Sequence, residues 1–335
     1  MMAEAENGLA ESPSFRARTW RILSSPAARA AAKIAVSAGL LFLIFRKVQM
    51  SEPSMRIGGG DWGPILFVWL MQTILPFVQA QRWRLIAAAL EARLPYVSAV
   101  SNVYVGQFFN QLLPSSVGGD AVRVWKLTRI MPLQTALSSV ALDRVMALVA
   151  VPIILLLGSG LLLRIVPAGP FRWSLFAMIA LAGCGLLLLF TADRVPLPGA
   201  IIDSRVVSAL RGIPPAARRL FSNPGCFFRA LFLSIVIHLG VGTSLWILAE
   251  NAGADAPLAA FLLLAPLIAM VTTVPISVGG WGVREGAMIT ALSLVDIPPS
   301  VALTVSIQFG LIMLVVGLPG GLITLFGVTP RTQQG

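Results

Sequence analysis

The sequence predicts an all-α polytopic membrane protein, with about six full spans plus two re-entrant helical hairpins arranged as an inverted repeat. Three observations carry that prediction. Of 335 residues, 57% are hydrophobic and only 12% charged, where a soluble domain carries roughly a quarter charged residues. Several apolar runs approach the ~20 residues that cross a bilayer as a helix, and they are unbroken rather than alternating. Finally, "PSSVGGDAVRVW" (Pro114 to Trp125) and "PISVGGWGVREG" (Pro275 to Gly286) agree at seven of twelve positions, 161 residues apart.

Taken in chain order, residues 1–29 read as a cytoplasmic extension. The start is acidic and too long for a signal peptide, and the first apolar run ends in Phe45-Arg46-Lys47 without a small-residue cleavage site. A retained first helix follows at 30–45. Further full spans are expected at 62–80, 140–163, 171–190, 230–248 and 300–326. Gln81–Leu94, "QRWRLIAAALEARL", reads as a basic helix near the cytoplasmic interface, a solvated and lipid-facing anchor. Between spans lie two broken segments, Val97–Leu113 and Pro257–Val274. Each is short for a span, ends at proline and paired glycine, and is followed by a helical stretch carrying Arg123 or Arg284.

The offset extends beyond the phrase, giving a repeat of span, broken segment, glycine turn, short helix and span. Repeat 1 covers about 62–165 and repeat 2 about 223–326, within one transmembrane domain at 30–326 followed by a short tail, 327–335. Internal repeats with interrupted helices in matching places are a transporter signature and point to the binding site. If each broken segment crosses fully, the repeats are parallel; if each dips in and returns, they are inverted. The hairpin topology puts most cations inside, including Arg194, Arg205, Arg211, Arg218, Arg219 and Arg229, whereas full crossing splits them almost evenly. The inverted arrangement, with both termini cytoplasmic in the inner (plasma) membrane, is the expectation.

A glycine turn opening a helix leaves backbone N–H groups free at the positive end of the dipole, a ready place for phosphate or carboxylate. An arginine four residues past the second glycine adds a bidentate donor. The candidate substrate-binding set is therefore Asn110, Ser115, Ser116, Gly118, Gly119, Asp120 and Arg123 in the first copy. In the second it is Ser277, Gly279, Gly280, Arg284 and Glu285. The same residues would also serve a tight turn and close helix packing. Asp120 and Arg123, three apart, can pair on one helix face; Glu285 directly follows Arg284, so the two are expected to point apart. Asp143 and Arg144 form a further candidate intramembrane charge pair. Asn110 and Gln107, near one helical turn apart, either line a polar path or satisfy the broken backbone.

Several functions lose ground. The net charge of +11 is scattered at segment ends with few interleaved aromatics, which fits membrane orientation and anionic lipid rather than nucleic acid. Cys184 and Cys226 are far apart, and His238 is the single histidine, so no metal site, no cofactor and no paired-histidine catalysis is expected. His238 is expected to pack or to bond between helices. No GxxxxGK[ST] loop occurs, which argues against ATP hydrolysis.

"GQFFNQLLPSSVGGDAVRVW" and "PISVGGWGVREGA" resemble signatures of the lysylphosphatidylglycerol synthase transmembrane region, a family of flippase-like integral membrane proteins. The resemblance runs from about residue 30 to 326. It implies translocation of a phospholipid, polyprenyl lipid or glycolipid rather than aminoacyl-lipid synthesis, because no soluble aminoacyl-transferase domain follows the last span. It also places Asn110, Pro114, Gly118, Gly119, Asp120 and Arg123 on the first motif and Gly279, Gly280 and Glu285 on the second. Two other classes stay open: a membrane lipid-modifying enzyme using Asp120, Asp143 and Glu285 as acids, and a non-catalytic partner of a separate lipid-synthesising enzyme. For the leading reading no catalytic residue is assigned.

Overall fold

The computed structural model describes residues 35, 38–39, 41–44, 46, 61–113, 118–166, 168–194, 205–273 and 277–326, and its regular elements are helices. The expected extension at 1–29, the tail at 327–335, and Ser115 and Ser116 lie outside the described residues. Where the first span is expected, residues 35, 38–39, 41–44 and 46 are helical. The named helices then run α1 Trp62–Ala89, α2 Tyr96–Leu112, α3 Gly118–Leu127, α4 Leu133–Leu157, α5 Ser159–Ile165 and α6 Pro170–Thr191. They continue with α7 Arg205–Leu210, α8 Ile213–Phe221, α9 Pro224–Asn251, α10 Leu258–Thr272, α11 Val283–Leu292 and α12 Pro299–Leu325.

Among the described residues four helices, α1, α4, α9 and α12, are long and apolar enough to cross a membrane. They correspond to four of the six expected spans. α6 occupies the place of a fifth, though its described apolar stretch, Ile179–Thr191, is shorter. The expected 140–163 span starts earlier, at Leu133, and stops at Gly158, which sits so close to Leu263 of α10 that a side chain has no room. The expected anchor at Gln81–Leu94 is also corrected. α1 runs on to Ala89, and Arg82, Trp83, Ile86 and Ala87 are buried within the protein rather than facing lipid. Trp83 and Ala87 pack in one apolar cluster and Ile86 in another, which turns these side chains inward and carries Arg82 with them.

Helix lengths repeat: 28, 17, 10 and 25 residues in α1–α4 against 28, 15, 10 and 27 in α9–α12. The corner after the first helix repeats in hydrogen-bonding detail. Ala92 N–H donates to the Ala87 carbonyl and Ala254 N–H to that of Ala249, both at 2.9 Å, the 6→1 bond of a Schellman ending. The residue that must turn left-handed is Glu91 (φ 58°) in one copy and Gly253 (φ 88°) in the other. Pro95 and Pro257 then precede α2 and α10, where a missing N–H costs nothing.

α1 and α9 lie against each other and run antiparallel. Asp61 pairs with Asn251, Gln72 donates to Ser244 at 2.8 Å, and Arg82 donates to Ser234 at 3.1 Å, so one number rises as the other falls. α2 folds back along α3: Gly119 touches Gly106, while Leu127 packs with Ala99 and Val103. α12 crosses α2 where Gly317 meets the backbone of Phe108, Gly320 the backbone of Tyr104 and Gly321 the ring of Phe108. Such close backbone approach is how apolar helices associate when lipid offers no hydrophobic penalty for separation.

Candidate functional site

α4 delivers Asp143 to the interior of repeat 1, fully buried, and three other helices converge on it. From α1, Arg82 donates through Nε to Asp143 Oδ1 at 2.8 Å, and Gln79 donates to Oδ2 at 3.2 Å. From α3, Arg123 Nη2 reaches the same Oδ2 at 3.2 Å. α9 adds Ser234, which accepts from Arg82. Burying a charge is tolerable only with partners and hydrogen bonds of this kind.

Asp120 is the second carboxylate. It lies in the first turn of α3, where its charge suits the helix dipole. Arg123, one turn on, donates to it at 3.0 Å, as the i,i+3 spacing predicts. Arg144 grips it with two donors, Nε at 2.7 Å and Nη2 at 3.1 Å. Arg123 also lies over the Trp83 ring, 4.0 Å from its centroid, a desolvated cation–π contact worth about 2 kcal/mol. Glycine makes the room: a Cβ on Gly106 would stand 2.7 Å from Arg123 Cδ, and one on Gly119 would run into the Gly106 carbonyl.

Three guanidinium groups thus face two carboxylates, leaving one positive charge in surplus. Four of the five side chains are between 0% and 12% exposed, and Arg144 alone is 45% exposed. It is the twelfth of 25 residues in α4, about 16 Å from the helix start at 1.5 Å per residue. That is close to the middle of the helix.

Repeat 2 holds a smaller cluster. Gly279, Gly280 and Gly282 all have positive φ, at 57°, 79° and 86°, a run that only glycine adopts freely. α11 then begins at Val283. Glu285 caps it by accepting the Gly282 N–H, and its other oxygen takes Arg284 Nη2 at 2.7 Å and the Ser306 hydroxyl at 3.1 Å. Arg284 lies over Trp281, 4.4 Å from the centroid, and occupies space left by Gly310 of α12. One cation meets one anion here, both buried.

The second phrase comes close to the end of α2, the helix that leads into the first. Gly279 lies beside Gln111, three residues before Pro114, such that a Cβ would stand 3.1 Å from Gln111 Oε1. Ser277 is buried there, and its hydroxyl has no partner among the described residues. Gln107 and Gln111 carry partnerless buried Oε1 atoms as well.

Four sequence expectations change. Asp143 and Arg144 do not pair with each other, because adjacent helical residues point about 100° apart; Asp143 takes Arg82 and Arg123, and Arg144 takes Asp120. Conversely, Arg284 and Glu285 do pair. Glu285 bends back to cap its own helix, and the long arginine chain follows it. The matched glycines also differ: Gly118 and Gly119 are the first residues of α3, whereas Gly279 and Gly280 form a left-handed turn ahead of α11. Finally, one of the donors expected to be open at each helix start is engaged. Gly119 N–H is held by Asn110 Oδ1 at 2.9 Å, and Gly282 N–H by Glu285. Asn110 therefore satisfies broken backbone. His238 bonds the Ala147 carbonyl of a neighbouring helix at 3.0 Å, as expected.

Arg82, Gln79, Ser234 and Trp83 were absent from the expected set. A signal did exist: Gln79 and Arg82 are three apart, one face of a helix whose apolar run continues to Ala89. The model of the lysylphosphatidylglycerol synthase TM region matches residues 30–321. No curated protein and no solved structure matches the chain.

Proposed function

The chain belongs to the lysylphosphatidylglycerol synthase TM region family, whose function concerns membrane lipids, and on that premise we propose a lipid flippase or scramblase for anionic, phosphate-bearing headgroups. One observation carries the reading: the surplus positive charge of the buried network, with Arg144 as its exposed member. A cluster with a net charge at bilayer depth is costly and calls for a further counter-ion. A headgroup phosphate or phosphodiester supplies one, and guanidinium binds it bidentately. Asp120 holds Arg144 in place until the ligand arrives.

Alternation in this proposal comes from inverted repeats. Support lies in α1 and α9, which occupy the same place in their repeats yet run antiparallel. Further support is length: α3 and α11 have 10 residues each, about 15 Å, half of a ~30 Å hydrocarbon core. A chain that enters by α2 and leaves by so short a helix returns to its own side. With α2–α3 entering from the cytoplasm and α10–α11 from outside, both termini are cytoplasmic and the plasma membrane is the location. Arg82 and Arg123 leave the cytoplasmic count of cations, whose sign is unchanged.

The proposal assigns no catalysis. Asp120, Asp143 and Glu285 are each neutralised by arginine, which suits structural counter-ions better than acids that must trade protons. Reconstitution in proteoliposomes with a headgroup-labelled acidic phospholipid tests this directly, reading label reduction by an impermeant reagent. We expect Arg144→Ala to abolish the protein-dependent transfer while the variant stays monodisperse. Unchanged transfer in Arg144→Ala sinks the reading. No transfer by the wild type, with co-purification of a lipid-synthesising enzyme, favours the partner role instead.

A further inference from the structure

A groove of about 440 Å³ lies where the end of α1 meets the beginning of α9, lined by Gln81, Leu85, Phe228, Arg229, Phe232 and Leu233. We propose that it binds one acidic phospholipid of the bilayer, acyl chain along the phenylalanines and phosphate on Arg229. The inference is independent of transport, since none of these six side chains belongs to the buried charge network.

The lining sorts by chemistry. Phe228 and Phe232 are each 63% exposed, one helical turn apart and presenting ring area that no protein segment among the described residues covers. Arg229 is exposed and makes no hydrogen bond or ion pair among the described residues, although a guanidinium has five donors to satisfy. Gln81 adds a polar side chain at the rim. Along α9 Phe228 and Arg229 are the fifth and sixth residues and Phe232 the ninth, so Phe232 lies about 12 Å from the helix start, one turn deeper than Phe228 and Arg229. That depth takes a bound lipid from phosphate level into the acyl region.

The surroundings favour negative over zwitterionic headgroups. α8 ends immediately before α9 and displays Arg219, and the corner after α1 displays Arg93, with Glu91 the carboxylate beside it. Exposed cations at this end of the helices attract anionic lipid over zwitterionic lipid. The volume falls in the 300–1,000 Å³ range of ligand pockets.

The test uses the full chain in phosphatidylcholine nanodiscs doped with phosphatidylglycerol that carries a photoactivatable acyl chain. Irradiation, digestion and mass spectrometry locate the adducts. Adducts should concentrate on 81–85 and 228–233 and be displaced by unlabelled phosphatidylglycerol but not by phosphatidylcholine. Arg229→Glu, an exposed substitution, should lower them several-fold. Adducts spread equally over Leu311, Leu318 and Leu322 of α12 would mean bulk solvation and overturn the site. Equal displacement by phosphatidylcholine, or an Arg229→Glu yield like wild type, would do the same. Loss of transport in Arg144→Ala with adducts intact separates this site from the transport reading.

Discussion

Repeat 1 and repeat 2 share a scaffold and differ in charge. The helix lengths and the Schellman corner match, yet one repeat gathers three arginines, two of them buried, around two aspartates, and the other holds a single buried Arg–Glu pair. Helix position explains much of the difference. Asp120 and Glu285 are each the third residue of their short helix, so a carboxylate is held at the dipole's positive end in both. Asp143 and Arg144 are the eleventh and twelfth residues of α4; the eleventh and twelfth of α12 are Phe309 and Gly310, and the 161-residue offset matches the pair to Thr304 and Val305, uncharged in either register. The second repeat uses that glycine as space for an arginine, where the first supplies two charges. The two halves match in helix lengths, and the surplus charge is carried on α4.

The largest expected effect breaks this comparison at its centre. Asp143→Asn leaves Arg82 and Arg123 without their shared carboxylate, and removing one partner of a buried pair costs about 3–5 kcal/mol. Glu285→Gln leaves one arginine and keeps a side chain able to accept from Gly282. Thermal unfolding in detergent should show a larger loss for Asp143→Asn. An equal or reversed order would mean that repeat 2 carries the weightier pair.

Much of the frame was readable from residues because it depends on local rules. Apolar run length, the Pro-bounded short segments and the recurring phrase all survive in the helix pattern, and the Asp120–Arg123 pair follows from spacing. What escaped depends on which way a helix face turns. Arg82 looks interfacial in "QRWR" because arginine normally is; only packing of Trp83 and Ile86 shows that face to be inward. Asp143 and Arg144 look paired because they are neighbours in sequence, whereas helix geometry sends them to different partners. The matched glycines share letters but not backbone, since α3 starts at Gly118 and α11 starts three residues after Gly280.

Two glycines sharpen the comparison at intermediate cost. A Cβ on Gly119 meets the backbone of Gly106, which cannot yield without parting α2 from α3, while one on Gly310 meets the tip of the Arg284 side chain. Overpacking costs about 1–3 kcal/mol, and Gly119→Ala should sit at the upper end with Gly310→Ala at the lower. The same unfolding assay reads both, and Gly160→Ala, which meets nothing, is the control. If Gly310→Ala proved the worse, the Arg284 position would be as fixed as backbone.

The smallest expected effect lies in the connection between repeats. Asp193 accepts from Arg218 at 2.6 and 3.0 Å, and the same arginine donates to the Phe190 carbonyl at the end of α6. Hydrogen bonding from Arg218, with its positive charge, holds the Asp193 carboxyl below its usual value. A depressed folded-state value means that the unfolded chain binds the proton more tightly. The contribution is therefore complete above the ordinary aspartate value, near 3.9, and fades as pH falls through the folded value. Asp193→Asn should remove that acid-side loss while leaving neutral-pH stability little changed, because the pair is partly exposed. Melting curves at pH 7 and at pH 3 to 4 decide it: the gap between wild type and variant should shrink on acidification. A gap that widens would mean that the loop is held by something other than this pair, and that the two repeats are joined more loosely than Arg218 suggests.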